Sequence, residues 1–530
     1  MTPFEAPVED ILFSLDHVAG AGALPDWDTD LMREIVTQFA RFAQGAVAPA
    51  DEAGDREGCR LLNGRVQMPR GFVAAYRSYA EQGWPALTLP EDAGGQGLSG
   101  PVEGALTEIL AGASHSFQMV VGLVSGAART ILAFGTADQQ ARWLPRLASG
   151  EWLTTMALTE PGAGSDLSGL RTRAVETAQG WQVEGEKIFI SGGDQDMTPR
   201  ILHLVLARSG DQASGVRGLS LFLVPSHDDA GNRLPVTITR IEEKMGLHAS
   251  PTCQMTFDAA PAELLGIEGE GLRAMFTMMN HARLDVALQG VAHAARATAI
   301  ARAYTATRRQ GRGGVTLDAH ADVRRMLDDA ETLAMGGRAL VHLAMVEMER
   351  GEHPDLVDFL TPVCKFTCTE AGVTAANLGM QALGGYGYLR EYRVEQTLRD
   401  ARVAAIYEGA NGIHAATLAG RLLRSAGGAA ATAFAQFLAE APEALDVWQR
   451  ARMVLLEAAD PAPAADAFMR LTAHAALVVV WQRFRAAADH APDPQRLRHL
   501  AKRAAARAPL LMRHYADLVV LERAEASSCG

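Results

Sequence analysis

Between Asp30 and Ala43 apolar side chains recur at spacings of three and four, at Leu31, Ile35, Phe39, Phe42 and Ala43. That period lays one apolar stripe along an α-helix, and Pro49 is expected to end it. The same reading places helices over 71–82, 101–111, 117–134 and 138–147, so a first domain, 31–152, is predicted to be all-helical. The extension before it, 1–30, carries an Ile11-Leu12-Phe13-Ser14-Leu15 patch that needs a surface to pack on. From Gly150 the pattern changes. Segments 154–159, 180–191, 201–208, 219–225, 236–241 and 253–257 are short, rich in Val, Ile, Leu, Thr and Phe, and punctuated by Gly, Asp and Pro. They predict a small central β-domain over 153–268. Helical spacing then returns over 271–309, with Leu272, Met275, Phe276, Met279, Leu284, Leu288 and Val291 as its stripe, and again over 320–349 and 362–378. Antiparallel helices with short links predict a four-helix bundle over 269–425. The remainder, 426–530, is Ala-rich and helical in pattern, and its tail Ser527-Ser528-Cys529-Gly530 is expected to fray. The fold class is therefore mostly α with a small central β-domain.

A chain of 530 residues exceeds one ordinary core, in keeping with several domains. Hydrophobic content of 48% and a mean hydropathy of +0.01 fit a globular protein with ample core. The net charge of −13 argues against a polyanion binder. Five cysteines in so long a chain make no disulfide framework, and reduced cytoplasmic thiols are expected. Cys364 and Cys368 lie one helical turn apart, but no His or acidic cluster completes a metal site, so they read as packing. No basic-then-apolar leader and no uncharged apolar run of about 18 residues stands out, so a soluble intracellular protein is expected. The loop around Gly94-Gly95-Gln96-Gly97 lacks the lysine of a phosphate loop and reads as a connection. Within 481–515, Arg483, Arg485, Arg496, Arg498, Lys502, Arg503, Arg507 and Arg513 face only Asp489 and Asp493. That is either a basic face packed on an acidic protein or an anion-binding surface.

Three stretches carry candidate chemistry. Ile406-Tyr407-Glu408-Gly409-Ala410-Asn411-Gly412 sets a carboxylate between an aromatic side chain and a glycine. Burial would raise that glutamate's pKa and make it a stronger base. Thr159-Glu160-Pro161-Gly162-Ala163-Gly164-Ser165-Asp166 follows a predicted strand and offers hydroxyls and open backbone N–H groups, suited to a phosphate or a flavin. Lys187-Ile188-Phe189-Ile190-Ser191-Gly192-Gly193 ends another strand with an aromatic, a hydroxyl and two glycines. Arg283, on a largely apolar helix, needs a partner.

Together with Gln381-Ala382-Leu383-Gly384-Gly385-Tyr386-Gly387-Tyr388 and Leu398-Arg399-Asp400-Ala401, these stretches resemble the acyl-CoA dehydrogenase family over roughly residues 30–425. The likeness is strongest to the branch that includes the 3-methylmercaptopropionyl-CoA dehydrogenases. It rests on Gly54-Asp55-Arg56-Glu57-Gly58-Cys59, Ile241-Glu242-Glu243-Lys244-Met245-Gly246 and the run from Gly271 to Asn280. The resemblance implies a helical domain, a barrel-like β-domain and a four-helix bundle, with FAD as cofactor. It implies that Glu408 takes the α-proton of an acyl-CoA while the β-hydride passes to the flavin. It further implies flavin contacts from Met156, Leu158, Thr159, Gly164, Ser165, Phe189, Ile190 and Ser191. Arg308, Gln310, Gln381, Gly384 and Gly385 would hold the adenine half of a neighbouring subunit's FAD, so a homodimer or homotetramer is expected. Ser165, Asn280, Arg283, Glu408 and Gly409 would touch the substrate, and an electron-transfer flavoprotein would take the electrons. An acyl-CoA oxidase, a desulfinase, or a nucleic-acid-binding paralogue using the basic C-terminal helices are the alternatives. Two positions depart from the pattern: Ser191 stands where Thr is common, and Ala410 replaces the usual Thr. A contact to FAD at Ala410 and Asn411 is expected from the position alone.

Overall fold

The computed structural model describes residues 3–311 and 313–528. They form two compact units: one of Arg41–Leu98 and Ala113–Ala282, the other of Met1–Ala40, Ser99–Gly112 and Arg283–Gly530.

The first unit holds the β-domain and helices around it. Two short strands, β1 (Arg60–Leu62) and β2 (Arg65–Gln67), pair antiparallel, so the first domain is not all-helical. The signal was present in Asn63-Gly64, both at positive φ (52° and 73°), the pair a tight hairpin turn favours. Pro49 begins a helix rather than ending one. A π-type turn over Ala43–Val47 leads into the helix Ala48–Glu57, where Pro49 sits in the first turn and its missing N–H costs nothing. Helices Arg70–Glu81, Leu123–Phe134 and Ala137–Ala148 match their apolar spacing.

The main sheet has seven strands: β3 (Trp152–Ala157), β4 (Arg173–Thr177), β5 (Gly180–Ser191), β6 (Arg200–Arg208), β7 (Leu219–Pro225), β8 (Val236–Ile241) and β9 (Thr252–Leu265). Pairings β6–β4, β4–β5, β5–β9, β9–β7 and β7–β6 close a barrel. Strand β3 adds parallel to β6, and β8 adds to β9. Strand β4 was not expected, because it is short and mostly exposed and so shows no apolar run. Strand β9 runs past 257: Ala259, at φ 50°, turns the chain locally, and Pro261 still pairs with Gln182. The punctuation that suggested an end marks a bulge.

In the second unit the helices Ala321–Arg350 and Pro354–Leu383 pack along the C-terminal part of the helix Gly271–Thr307. The third begins at Pro354 and passes through Pro362, eight residues earlier than the spacing suggested. Cys364 and Cys368 are buried, and their Sγ atoms lie 3.6 and 3.5 Å from the Leu340 and Gly337 carbonyls. The N-terminal patch packs here: Phe13 stacks on Phe484, and Ser14 Oγ meets His342 Nδ1 at 3.0 Å. The C-terminal extension is helical, with Phe434, Trp448 and Phe468 in its core. Among the described residues, Ala462–Ala486 is long and apolar enough to cross a membrane, and 72% of that apolar window is buried inside the protein. Most of the basic stretch is matched internally. Arg496 pairs with Asp328 at 2.7 Å, Arg503 and Arg507 with Asp329 at 2.6 and 2.5 Å, and Arg483 with Glu440 at 2.5 Å. The last helix continues to Ser528, while Cys529, Gly530 and Arg312 lie outside the described residues.

Candidate active site

Glu408 lies on a tight connection from the turn Arg402–Ala405 to the helix Asn411–Thr417. Its φ is 53° and that of Gly409 is 90°. A non-glycine residue in the left-handed region is strained, and such strain persists only where neighbours hold it. Here the neighbours are explicit. His414 Nε2 donates to the Glu408 carbonyl at 3.1 Å. Lys365, from the helix Pro354–Leu383, donates to the Gly409 carbonyl at 2.7 Å and to Asn411 Oδ1 at 3.0 Å. Asn411 Nδ2 in turn donates to Thr369 Oγ1 at 3.2 Å and Glu370 Oε1 at 2.9 Å. Position 409 favours glycine, because its φ is left-handed and a Cβ there would lie 2.8 Å from His414 Nε2, which would have to shift. Tyr407 donates its hydroxyl to Gln289 Oε1.

The electrostatics follow from burial. Removal from water pushes the Glu408 carboxyl up to about 7, against the pull of the Arg283 and Lys365 charges. No described residue donates a hydrogen bond to its side chain, so the anion has the Arg283 and Lys365 charges but no donor. Burial also pushes Lys365 down to about 8 and His414 down to about 3, so the imidazole is neutral. The Arg283 guanidinium is held below its usual value by burial, with the Glu408 charge opposing. A carboxylate poised near neutrality, near cations but bonded to none, can take up or release a proton around pH 7.

In the other unit the two glycine-flanked motifs are tied together. The Ile188 N–H donates to the Thr159 carbonyl at 2.9 Å, and Lys187 Nζ donates to the Leu158 carbonyl and Glu160 Oε1, both at 2.8 Å. Phe189, at φ 60°, holds its ring 60% exposed beside the half-buried Thr159 and Ser191. A large apolar ring kept open on a strained backbone, next to hydroxyls, fits one face of a flat, polar-edged cofactor such as the isoalloxazine of FAD. Ile190 and Leu158 are buried and Met156 is half-buried, whereas Gly164 and Ser165 lie exposed on the loop after β3. Asn280 is half-buried on the helix Gly271–Thr307.

Arg308 stacks over Tyr386 at 5.4 Å and lines a cavity of about 590 Å³ with Tyr304, Tyr392 and Arg393. Gln310, Gln381, Gly384 and Gly385 are exposed, Gly384 at φ 63°. Both ends of the Asn411 amide are engaged within the protein, by Lys365 on one side and Thr369 and Glu370 on the other. Lys365, His414 and Thr369 were not singled out from sequence. A lysine inside the helix Pro354–Leu383, among buried apolar neighbours, was the signal available.

The chain as a whole matches the acyl-CoA dehydrogenases. The chain belongs to that family: residues 29–151, 155–260 and 269–423 match the models of the acyl-CoA dehydrogenase N-terminal, middle and C-terminal domains. It is thus an FAD-dependent enzyme that dehydrogenates acyl-CoA thioesters. It is 41% identical over 464 residues to a 3-methylmercaptopropionyl-CoA dehydrogenase of Ruegeria pomeroyi, covering 82% of this chain and 79% of that one. It is 33% identical to a broad-specificity linear acyl-CoA dehydrogenase of Mycobacterium tuberculosis, over 78% of this chain and 74% of that one. Among solved structures, butyryl-CoA dehydrogenase from Megasphaera elsdenii superposes with a TM-score of 0.65 at 26% identity, covering 75% of this chain and 100% of that one.

Proposed function

We propose that Glu408 is the base that removes the α-proton of a short-chain or 3-methylmercaptopropionyl-type acyl-CoA. The observation that carries this is its half-buried carboxyl, raised to about 7 and free of hydrogen bonds from the described residues. An α-proton of a thioester is too weakly acidic for a carboxylate in water, so the developing negative charge on the thioester oxygen must be met by donors. The Glu408 N–H makes no hydrogen bond among the described residues and is available for that oxygen. In this reading Ser165, Asn280, Arg283 and Gly409 would touch the acyl-CoA. Bound FAD supplies the acceptor for the β-hydride. Thr159 and Ser191 would hold its ring and Phe189 would cover a face, with Met156, Leu158, Gly164, Ser165 and Ile190 around them. Arg308, Gln310, Gln381, Gly384 and Gly385 would serve the FAD of a second subunit in a homo-oligomer, and Ala410 and Asn411 would contribute backbone alone.

The likeness to the Ruegeria pomeroyi enzyme supports a short, unbranched acyl group with room for a β-sulfur. Electron-transfer flavoprotein is the acceptor in this reading and the cytoplasm the compartment. The internally matched arginines leave little support for a nucleic-acid partner. The test is anaerobic mixing of the flavoprotein with an acyl-CoA series. Bleaching of the flavin by 3-methylmercaptopropionyl-, butyryl- and hexanoyl-CoA, with kcat/KM within about 10–200-fold of one another, supports it. Preference for palmitoyl-CoA with an inert thioether removes the substrate assignment, and rapid peroxide release in air favours an oxidase.

A further inference from the structure

We propose that Lys365 is the positioning residue for Glu408: its ammonium pins the Gly409 carbonyl and the Asn411 amide, and its unpaired charge tunes the base. The inference rests on Glu408 being that base. A lysine side chain with no solvent exposure is costly unless its donors are satisfied and its charge is balanced. The ordinary solution is a carboxylate in direct contact. Lys365 is as buried as any side chain in the protein, yet its two hydrogen bonds go to a backbone carbonyl and a neutral amide oxygen. Its charge is felt by Glu408 and Glu370 without a salt bridge to either, while Arg283 opposes it.

What the two bonds hold is the turn itself. His414 takes the Glu408 carbonyl and Lys365 takes the next one, so both peptide planes of the strained Glu408-Gly409 pair are fixed from outside. That orientation keeps the Glu408 N–H unengaged and the carboxylate unsupported by donors. A misplacement of about 1 Å in such a site costs on the order of 10²-fold in rate. The charged groups facing Glu408 are Arg283 from the helix Gly271–Thr307 and Lys365 from the helix Pro354–Leu383, with neutral His414 and Tyr407 completing the surround.

Two substitutions separate tether from charge. Lys365→Gln retains a donor for the Gly409 carbonyl and loses the charge. Its anaerobic bleaching rate should keep its high-pH plateau while the acidic limb moves up by about one pH unit. Lys365→Met loses both, so the limb moves and the plateau falls about 10–100-fold. Lys365→Arg keeps charge and donors, and its limb should stay where the native one is. Limbs and plateaus unmoved in Gln and Met overturn the proposal, as does failure of both polar variants to fold, which would make the lysine purely structural. Glu408→Gln keeps the two claims apart. Near-normal bleaching there removes the base and this inference together. An inactive Glu408→Gln beside unmoved Lys365 variants removes the inference alone.

Discussion

The molecule sets a buried lysine near a carboxylate twice, once in each unit, and the two arrangements behave in opposite ways. Glu160 accepts from Lys187 Nζ at 2.8 Å and from the backbone N–H groups of Arg171 and Thr172 at 2.7 and 3.0 Å. Burial raises its carboxyl, but the Lys187 charge and these hydrogen bonds outweigh it and hold the group below its ordinary value. Glu408 has Lys365 and Arg283 nearby in charge but not in contact, and burial wins. The residue types are the same; the donors differ. A carboxylate given three donors becomes structure, tying the loop after β3 to β5, and one denied them keeps its basicity.

The sharpest way to break this contrast is to neutralise each carboxylate. Glu408→Gln should lower the anaerobic bleaching rate by about 10²–10⁴-fold with melting close to native, whereas Glu160→Gln should leave the rate per flavin-loaded molecule within a few-fold. Equal rate losses at both positions would erase the distinction. Next in size, Lys187→Met strands a buried carboxylate and should cost about 3–5 kcal/mol in urea denaturation at pH 7. Because the folded Glu160 titrates below its unfolded value, its contribution is present above the ordinary carboxyl range and lost as pH falls through the folded value. The Lys187→Met deficit should therefore shrink on acidification.

Gly409→Ala comes third. The left-handed backbone and the close His414 ring should cost about 1–3 kcal/mol and slow bleaching without abolishing flavin binding, as visible spectra and chemical denaturation would record. The gentlest effect is that of pH on the native enzyme. With the base near 7, the rate should rise about tenfold per unit well below neutrality and by no more than about twofold between pH 7 and 8.

Much of this was legible in the residues. The residue pattern placed the Thr159 stretch after a strand and the Phe189 stretch at a strand end, as the structure has them, and periodicity found most helices and all but one strand of the barrel. What escaped is what a one-dimensional pattern does not carry. Pro49 and Pro362 read as breaks, yet one sits in a first turn and the other inside a helix whose neighbours hold it. Asn63-Gly64 lay inside a region judged helical by its surroundings. Lys365 is 43 residues before Glu408, and only the packing of its helix on the turn brings its ammonium to the Gly409 carbonyl. The basic C-terminal stretch looked unbalanced because Asp328, Asp329 and Glu331 stand far upstream.

The account turns on Glu408 being a carboxyl that protonates near neutrality while Glu160 does not. A pH titration of the flavin-loaded enzyme by infrared difference spectroscopy, with Glu408→Gln and Glu160→Gln identifying the two bands, reads both directly. The account predicts that the band lost in Glu408→Gln titrates near 7 and that Glu160 stays ionised below the ordinary range. A Glu408 band titrating at or below the ordinary glutamate value of about 4.3 would contradict it.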